Sequence, residues 1–348
     1  MALVGGIGSG KTTELQLTQG ILSRHSDAVN IFVDVADFTD LTTVSAGAIL
    51  AAAGMQLSKL AKAGEQTSPE IRSAYAKLHE VAFGKTKWVE GSLLEQRGDE
   101  PDDDLVPVTT PGLLRFRLPP LQGIVAQVES LLMTIAAPLL ESDAQITLLI
   151  DGLDRLIQPE LFRRFAEQDL QALRGTKITV IIVAPLLLWY DEGRFLNDHF
   201  DIVKHIPAAS ASPEDSAFLR QILERRGARD LMDQPEINSI AKYSGGVLRD
   251  LLTLARSSAE YAYRADEDRI ARSHVAAAVR QLGNRYFLGL GDTHKRILNN
   301  LSANGEFPME TPAARELLVN RQVLEYFRNG REFFAVHPAL AKVLPKND

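Results

Sequence analysis

Residues 5–12 read Gly5-Gly6-Ile7-Gly8-Ser9-Gly10-Lys11-Thr12, which fits the pattern GxxxxGK[ST]. A loop of this kind works only between a buried strand and the first turn of a helix, so it dictates the architecture around it. Its glycines let the backbone curl until successive N–H groups point into one cavity, and a helix opening at Lys11 adds the positive end of its dipole. The Lys11 ammonium is expected to reach the β- and γ-phosphates of a nucleotide. The Thr12 hydroxyl is expected to ligate Mg²⁺, with Thr13 beside it in the first helical turn. The alternative is a glycine-rich turn that merely caps a helix, but a chance match in 348 residues is on the order of one in a hundred. Only Ala2-Leu3-Val4 stands ahead of the loop as its strand, so a further N-terminal segment is expected to precede this sequence.

The pattern downstream suits such a loop. Runs rich in β-branched residues occur at Ala2–Val4, Val29–Val35, Gln145–Asp151, Lys177–Ala184 and Ile202–Ile206. Between them lie helical stretches at Lys11–Ser23, Val44–Ala63, Pro69–Ala82, Leu121–Glu141 and Pro159–Leu173. The alternation predicts an α/β fold over residues 1–207: a parallel five-stranded P-loop NTPase sheet flanked by helices, joined by right-handed crossovers. Residues at about 84–120 interrupt it with a segment rich in Pro, Gly and acid, either a solvated insertion or a partner-binding hairpin. Beyond Ile206 the strands give way to helices at Pro213–Arg226, Gln234–Tyr243, Gly246–Arg264 and Arg272–Leu282, a helical domain over 208–284. Residues 285–348 read as three short helical pieces, a hairpin-like Gly330–Val336 and a last helix from Pro338, which suggests a winged-helix-like domain.

Composition removes several chemistries. With no cysteine, disulfides, thiolate metal sites and cysteine nucleophiles are excluded. The seven histidines show no metal-ligand spacing. A net charge of -7 gives no support to non-specific binding along a nucleic acid, although a local basic face stays open. The first residues show no basic stretch followed by an apolar one, so no signal peptide is expected, and the longest apolar run, Ile178–Tyr190, contains Pro185 and is shorter than the roughly 20 residues that span a bilayer. A cytoplasmic protein without membrane contact is expected.

The second half of the site is read from Ile146-Thr147-Leu148-Leu149-Ile150-Asp151, an apolar strand ending in an acid. At the carboxyl end of a central strand, Asp151 is expected to hold Mg²⁺ beside the phosphates, the alternative being an acid that starts a turn with Gly152. Gly152 leaves no acid adjacent to Asp151, so Asp154 is the candidate to orient an attacking water; capping a turn or pairing with Arg155 stays open for it. No Asn-Lys-x-Asp or Thr-Lys-x-Asp stands anywhere in the chain to read guanine, so the expected nucleotide is ATP with Mg²⁺.

The loop, the strand with Asp-Gly-Leu-Asp-Arg, and Ser244-Gly-Gly-Val-Leu-Arg-Asp250 together resemble the AAA+ and STAND ATPases, especially their Cdc6/Orc1-like branch. The resemblance implies a P-loop core, a helical lid and a winged helix. It also implies that Arg249 senses the terminal phosphate from the lid, against an exposed arginine offset by Asp250. For Arg194 it implies a trans-acting arginine finger, although a solvated loop residue fits the local sequence better. The family usually carries a polar residue at the end of the strand after that of Asp151, whereas this chain has Val183-Ala184-Pro185, so slow hydrolysis is expected. The implied function is an Mg-dependent ATP-binding and hydrolysing switch that couples nucleotide state to lid movement, self-association or a protein partner. Two further readings stay open. One is a DNA-binding initiator or transposition-type ATPase, whose recognition helix would include Arg315, Asn320, Arg321 or Arg328. The other is a slow or non-hydrolysing signalling scaffold, as in bacterial defence.

Overall fold

The computed structural model describes residues 1–25, 27–38, 46–63, 68–83, 124–156, 159–191, 193–209, 216–328 and 330–345. The expected acidic insertion at about 84–120 lies outside the described residues. Five strands form one sheet: β1 (Ala2–Val4), β2 (Ala28–Asp34), β3 (Gln145–Asp151), β4 (Ile178–Ala184) and β5 (Val203–His205). Their order is β2-β3-β4-β1-β5, and β2 with β3, β3 with β4 and β1 with β5 pair in parallel. The expected α/β architecture with a five-stranded parallel sheet is therefore the one the chain adopts. β3 is buried from Ile146 to Asp151, which its continuous apolar run demands. β2 lies at the sheet edge and buries only alternate residues near its end, Ile31 and Val33.

The chain divides into two compact units, Met1–Glu14 with Val183–Asp348, and Leu15–Ile182. Within Leu15–Ile182 the helices Ala48–Ala63, Pro69–Phe83 and Ile124–Glu141 pack on one another. Ala51, Ala52 and Ala53 are buried, and a β-carbon at Gly54 would stand 2.7 Å from Leu78 Cδ2. The small residues thus set how closely these helices approach. Leu78 and Leu132 are fully buried, each contributing about 2 kcal/mol. Ile124–Glu141 is, among the described residues, the one helix long and apolar enough to cross a membrane, yet its Val128, Leu132, Ile135 and Ala136 are buried in this unit.

The stretch expected as one helix over Pro159–Leu173 is broken. A helix spans Pro159–Phe165, a π-helical segment Ala166–Leu170, and a last turn Gln171–Leu173. The wider π turn carries Asp169 inward, where it accepts the N–H groups of Gly47 at 2.6 Å and Ile49 at 3.0 Å. These donors open the Ala48–Ala63 helix, so a buried carboxylate serves as its remote cap.

In the other unit, helices at Ser216–Glu224, Gln234–Tyr243, Leu248–Arg264 and Arg272–Phe287 bury Leu219, Ile237, Ile240, Leu251, Leu254, Val279 and Leu282 as a core. Helices at Asp292–Asn304 and Pro312–Val319 follow, then β6 (Val323–Arg328), β7 (Arg331–Val336) and a final turn, Pro338–Ala341. Thr311 caps the Pro312–Val319 helix by accepting the Ala314 N–H, with Pro312 in its first turn. The third helical piece expected from the sequence is instead the strand β6, antiparallel to β7. Val323, Tyr326 and Phe327 favour a strand once a partner strand is present, and pairing decides the outcome.

Candidate functional site

β1 is buried, and the loop leaving it curls as the motif requires. Gly8 and Gly10 adopt φ values of 86° and 108°, where a side chain is strained. Gly5 cannot be replaced for a different reason: a β-carbon there would stand 2.1 Å from the Ile206 carbonyl oxygen. Lys11 is buried, and its ammonium donates to the carbonyls of Gly5 at 2.8 Å and Gly6 at 2.7 Å. The ammonium is thereby fixed over the loop that the glycines shape. Ser9 Oγ is buried with no hydrogen-bond partner. Thr12 and Thr13 are exposed in the first turn of the Lys11–Leu22 helix. A fixed cation, an unsatisfied hydroxyl and a helix N-terminus around a glycine cradle fit a phosphate chain.

The segment Ser244–Asp250 closes on this loop. Gly246 has φ 79°, and a β-carbon on it would overlap the Ala209 carbonyl oxygen at 1.6 Å. That close approach brings Leu248 to the loop, where its N–H donates to the Gly8 carbonyl at 3.0 Å. A β-carbon at Gly8 would stand 2.7 Å from Val247 Cγ1, 3.3 Å from Arg249 Cβ and 3.7 Å from an Arg321 guanidinium nitrogen. Arg249 thus begins beside the loop, with an exposed side chain. Asp250 does not offset Arg249. It is buried and accepts from the Tyr286 hydroxyl at 2.6 Å and from Arg321 Nη1 at 3.3 Å. His337 Nε2 lies 3.3 Å from Oδ2, the oxygen that also accepts from Tyr286, an ion-pair distance without hydrogen-bond alignment. Burial raises the Asp250 pKa, but His337, Arg321 and Tyr286 together hold the carboxyl below its usual range.

In the Leu15–Ile182 unit, Asp151 is buried at the end of β3, and its Oδ1 accepts the Gly152 N–H at 2.8 Å. Asp34 ends β2 directly beside it in register. Gly152, at φ 92°, leaves room for Asp34, whose Oδ1 would lie 2.5 Å from any β-carbon there. An acid at position 152 would collide with Asp34, which accounts physically for the glycine. Asp154 lies half-buried on the one-turn 3₁₀ helix Leu153–Arg155, and Arg155 is exposed. Among the described residues no cluster of three or more His, Asp or Glu could hold a metal by itself. A cation here would need oxygen ligands from a phosphate chain as well.

Arg194 stands on the exposed face of the helix Gly193–His199 and pairs with Asp198 at 3.6 Å. The basic residues weighed for a DNA-reading helix are dispersed. The helix ends at Val319, Arg315 is bound to Asp191 at 2.8 Å and to the Met309 carbonyl, and Arg328 ends β6. Arg321 turns inward onto Asp250 and Tyr286 and, with Gly6, Ile7, Ser9 and Val247, lines a cavity. Its place at the loop has no local signal in the sequence, since the contact joins residues far apart in the chain.

No protein-family model and no curated protein matches the sequence. Among solved structures the chain is similar to the ORC2 protein of Aeropyrum pernix, at 12% identity over 99% of this chain and 85% of that one, with a TM-score of 0.48. It is similar to Cdc6p of Pyrobaculum aerophilum at 14% identity over 98% and 84%, with a TM-score of 0.44. A third is the RuvB Holliday junction branch migration motor of Thermotoga maritima, at 14% identity over 100% and 87%, with a TM-score of 0.41. At identities of 12 to 14% and scores of 0.41 to 0.48, the chain's own strand order and loop geometry carry the fold and the site.

Proposed function

We propose that the chain is an Mg-dependent ATP-binding and hydrolysing switch, with the phosphate chain on Gly5–Thr13. One observation carries this reading: the Lys11 ammonium is fixed over a loop in which Gly5 stands against the Ile206 carbonyl and Gly8 and Gly10 hold positive φ values that strain any side chain. The loop N–H groups and Lys11 bind the phosphates, and Thr12 and Asp151 hold Mg²⁺, which supplies charge neutralisation at the phosphate oxygens. Asp154 orients the attacking water. Arg249 senses the phosphate as residues 208–284 act as a lid, and 285–348 serve as a winged-helix-like module that engages a protein partner or a second copy.

Turnover is expected to be slow, because Gly152 stands where an adjacent acid would activate water and β4 ends in the apolar Val183 and Ala184. A slow switch suits signalling assembly better than processive work. Steady-state phosphate release and equilibrium ATP binding by the full chain, beside Lys11→Ala and Asp154→Asn, test the proposal. ATP binding that is lost in Lys11→Ala, with turnover reduced in Asp154→Asn, supports it. ATP affinity equal in parent and Lys11→Ala refutes it, and normal turnover in Asp154→Asn removes that residue's role.

A further inference from the structure

Arg321 occupies an unusual position for a residue outside the phosphate loop and the segment over it. It follows the Pro312–Val319 helix and precedes β6, and its φ of 64° lies in the left-handed region that disfavours an arginine. The strained backbone aims its side chain inward. The guanidinium lies over the Tyr286 ring at 5.6 Å and reaches Asp250 Oδ1 and Oδ2 at 3.3 and 3.4 Å. The same guanidinium comes within 3.7 Å of where a β-carbon on Gly8 would stand, and it lines the cavity containing Gly6, Ile7 and Ser9. The cation therefore stands between a buried carboxylate and the cradle, which contains the unsatisfied Ser9 Oγ.

We propose that Arg321 is a further nucleotide-binding cation beside Lys11 and Arg249, drawn from Asp250 to the phosphate chain when nucleotide occupies the loop. This rests on the reading of the loop as a nucleotide site. Phosphate oxygens offer a guanidinium paired geometry and more negative charge than Asp250, so Arg321 changes partner instead of acting alone. Asp250 stands next to Arg249 in the helix over the loop, and Gln322 beside Arg321 donates to the Tyr286 carbonyl at 3.1 Å. Loss of the ion pair then removes one of the ties between the start of β6 and the Leu248–Arg264 and Arg272–Phe287 helices, the Gln322 bond being another. Loop occupancy thereby reaches the β6–β7 hairpin without any contact between hairpin and nucleotide.

The two halves of the ion pair give opposite outcomes under this scheme, whereas a merely structural bond gives the same outcome for both. Full-length parent, Lys11→Ala, Arg321→Gln and Asp250→Asn are titrated with Mg-ATP, and amide exchange is followed across residues 321–328 with and without ATP. Arg321→Gln is expected to bind ATP about tenfold more weakly. Asp250→Asn, which frees the cation, is expected to bind at least as tightly as the parent. ATP is expected to speed exchange in the hairpin of the parent and to leave that of Arg321→Gln unchanged. If both ion-pair variants weaken binding alike, or neither alters it while Lys11→Ala does, the Arg321 proposal falls and the loop reading stands. If the parent binds no ATP, both fall.

Discussion

The N–H of Leu248 donates to the carbonyl of Gly8 across 3.0 Å, and Val247 fills the space that a side chain at Gly8 would need. The boundary between loop and overlying helix thus joins a backbone hydrogen bond to a short, branched side chain in close contact. A change in loop shape has to be answered by the first turn of the Leu248–Arg264 helix, which is how a bound phosphate would reach Arg249 and Asp250.

Removing the Lys11 ammonium takes away the cation that spans the Gly5 and Gly6 carbonyls. Lys11→Ala is expected to weaken ATP binding by about 100-fold, roughly 3 kcal/mol, the size of a lost charge-assisted contact. Equilibrium titration with a fluorescent ATP analogue checks it, with circular dichroism to confirm that the fold persists. A dissociation constant equal to the parent's refutes the role of Lys11.

Gly8→Ala tests the shared boundary. At φ 86° an alanine is strained, and its β-carbon would press on Val247 Cγ1 at 2.7 Å. The variant is expected to lose about 2 kcal/mol of stability and to exchange its Leu248 amide faster than the parent. Undiminished protection of that amide would mean that loop and helix are not coupled through this contact.

The loop and the sheet were legible in the sequence because each follows from a short-range pattern. Gly5–Thr12 spells out a backbone shape, and the apolar run ending at Asp151 announces a buried strand. Asp169 was not legible, since an acid within Pro159–Leu173 reads as part of a solvated helix face until a π turn rotates it inward. Arg321, expected on a DNA-reading helix, and Glu325 were not legible for a similar reason. Their partners, Asp250, His205 and Tyr190, are remote in the chain, and no local spacing reports them. β6 was misread because its strand character depends on β7.

The buried Asp169 carboxyl is pushed up to about 6 by desolvation, against the opposing pull of the N–H groups of Gly47, Ile49 and Leu50. Its unfolded value is roughly 3.9, so between about pH 4 and 6 the native state holds more protons than the unfolded state, and stability falls as pH rises. The rise from the ordinary carboxylate value to about 6 corresponds to about 3 kcal/mol over that window. Denaturant titrations from pH 4 to 7 are expected to show this slope in the parent and its absence in Asp169→Asn. The variant should also be less stable, by roughly 1–3 kcal/mol, because an amide turns a donor toward one of the Gly47 or Ile49 N–H groups. Parallel curves would mean that Asp169 titrates as an ordinary carboxylate.

Glu325 holds β6 to the rest of its unit through two partners. His205 Nε2 meets its Oε1 at 2.9 Å, and the Tyr190 hydroxyl donates to Oε2 and also to Glu332. Burial, followed by the charges of Glu325 and Glu332, pushes the Tyr190 hydroxyl far up, so it stays protonated and keeps donating across the physiological range. Trp189 stacks on His205 at 4.9 Å with planes 9° apart, which makes its fluorescence a local probe once the other tryptophan is removed by Trp88→Phe. Glu325→Ala in that background leaves His205 without this acceptor and is expected to cost about 2–3 kcal/mol. The Trp189 signal should then change at lower denaturant than the far-ultraviolet circular dichroism, since the hairpin would leave β5 before the helices unfold. If both signals move together at the parent's midpoint, Glu325 does not hold the hairpin in place.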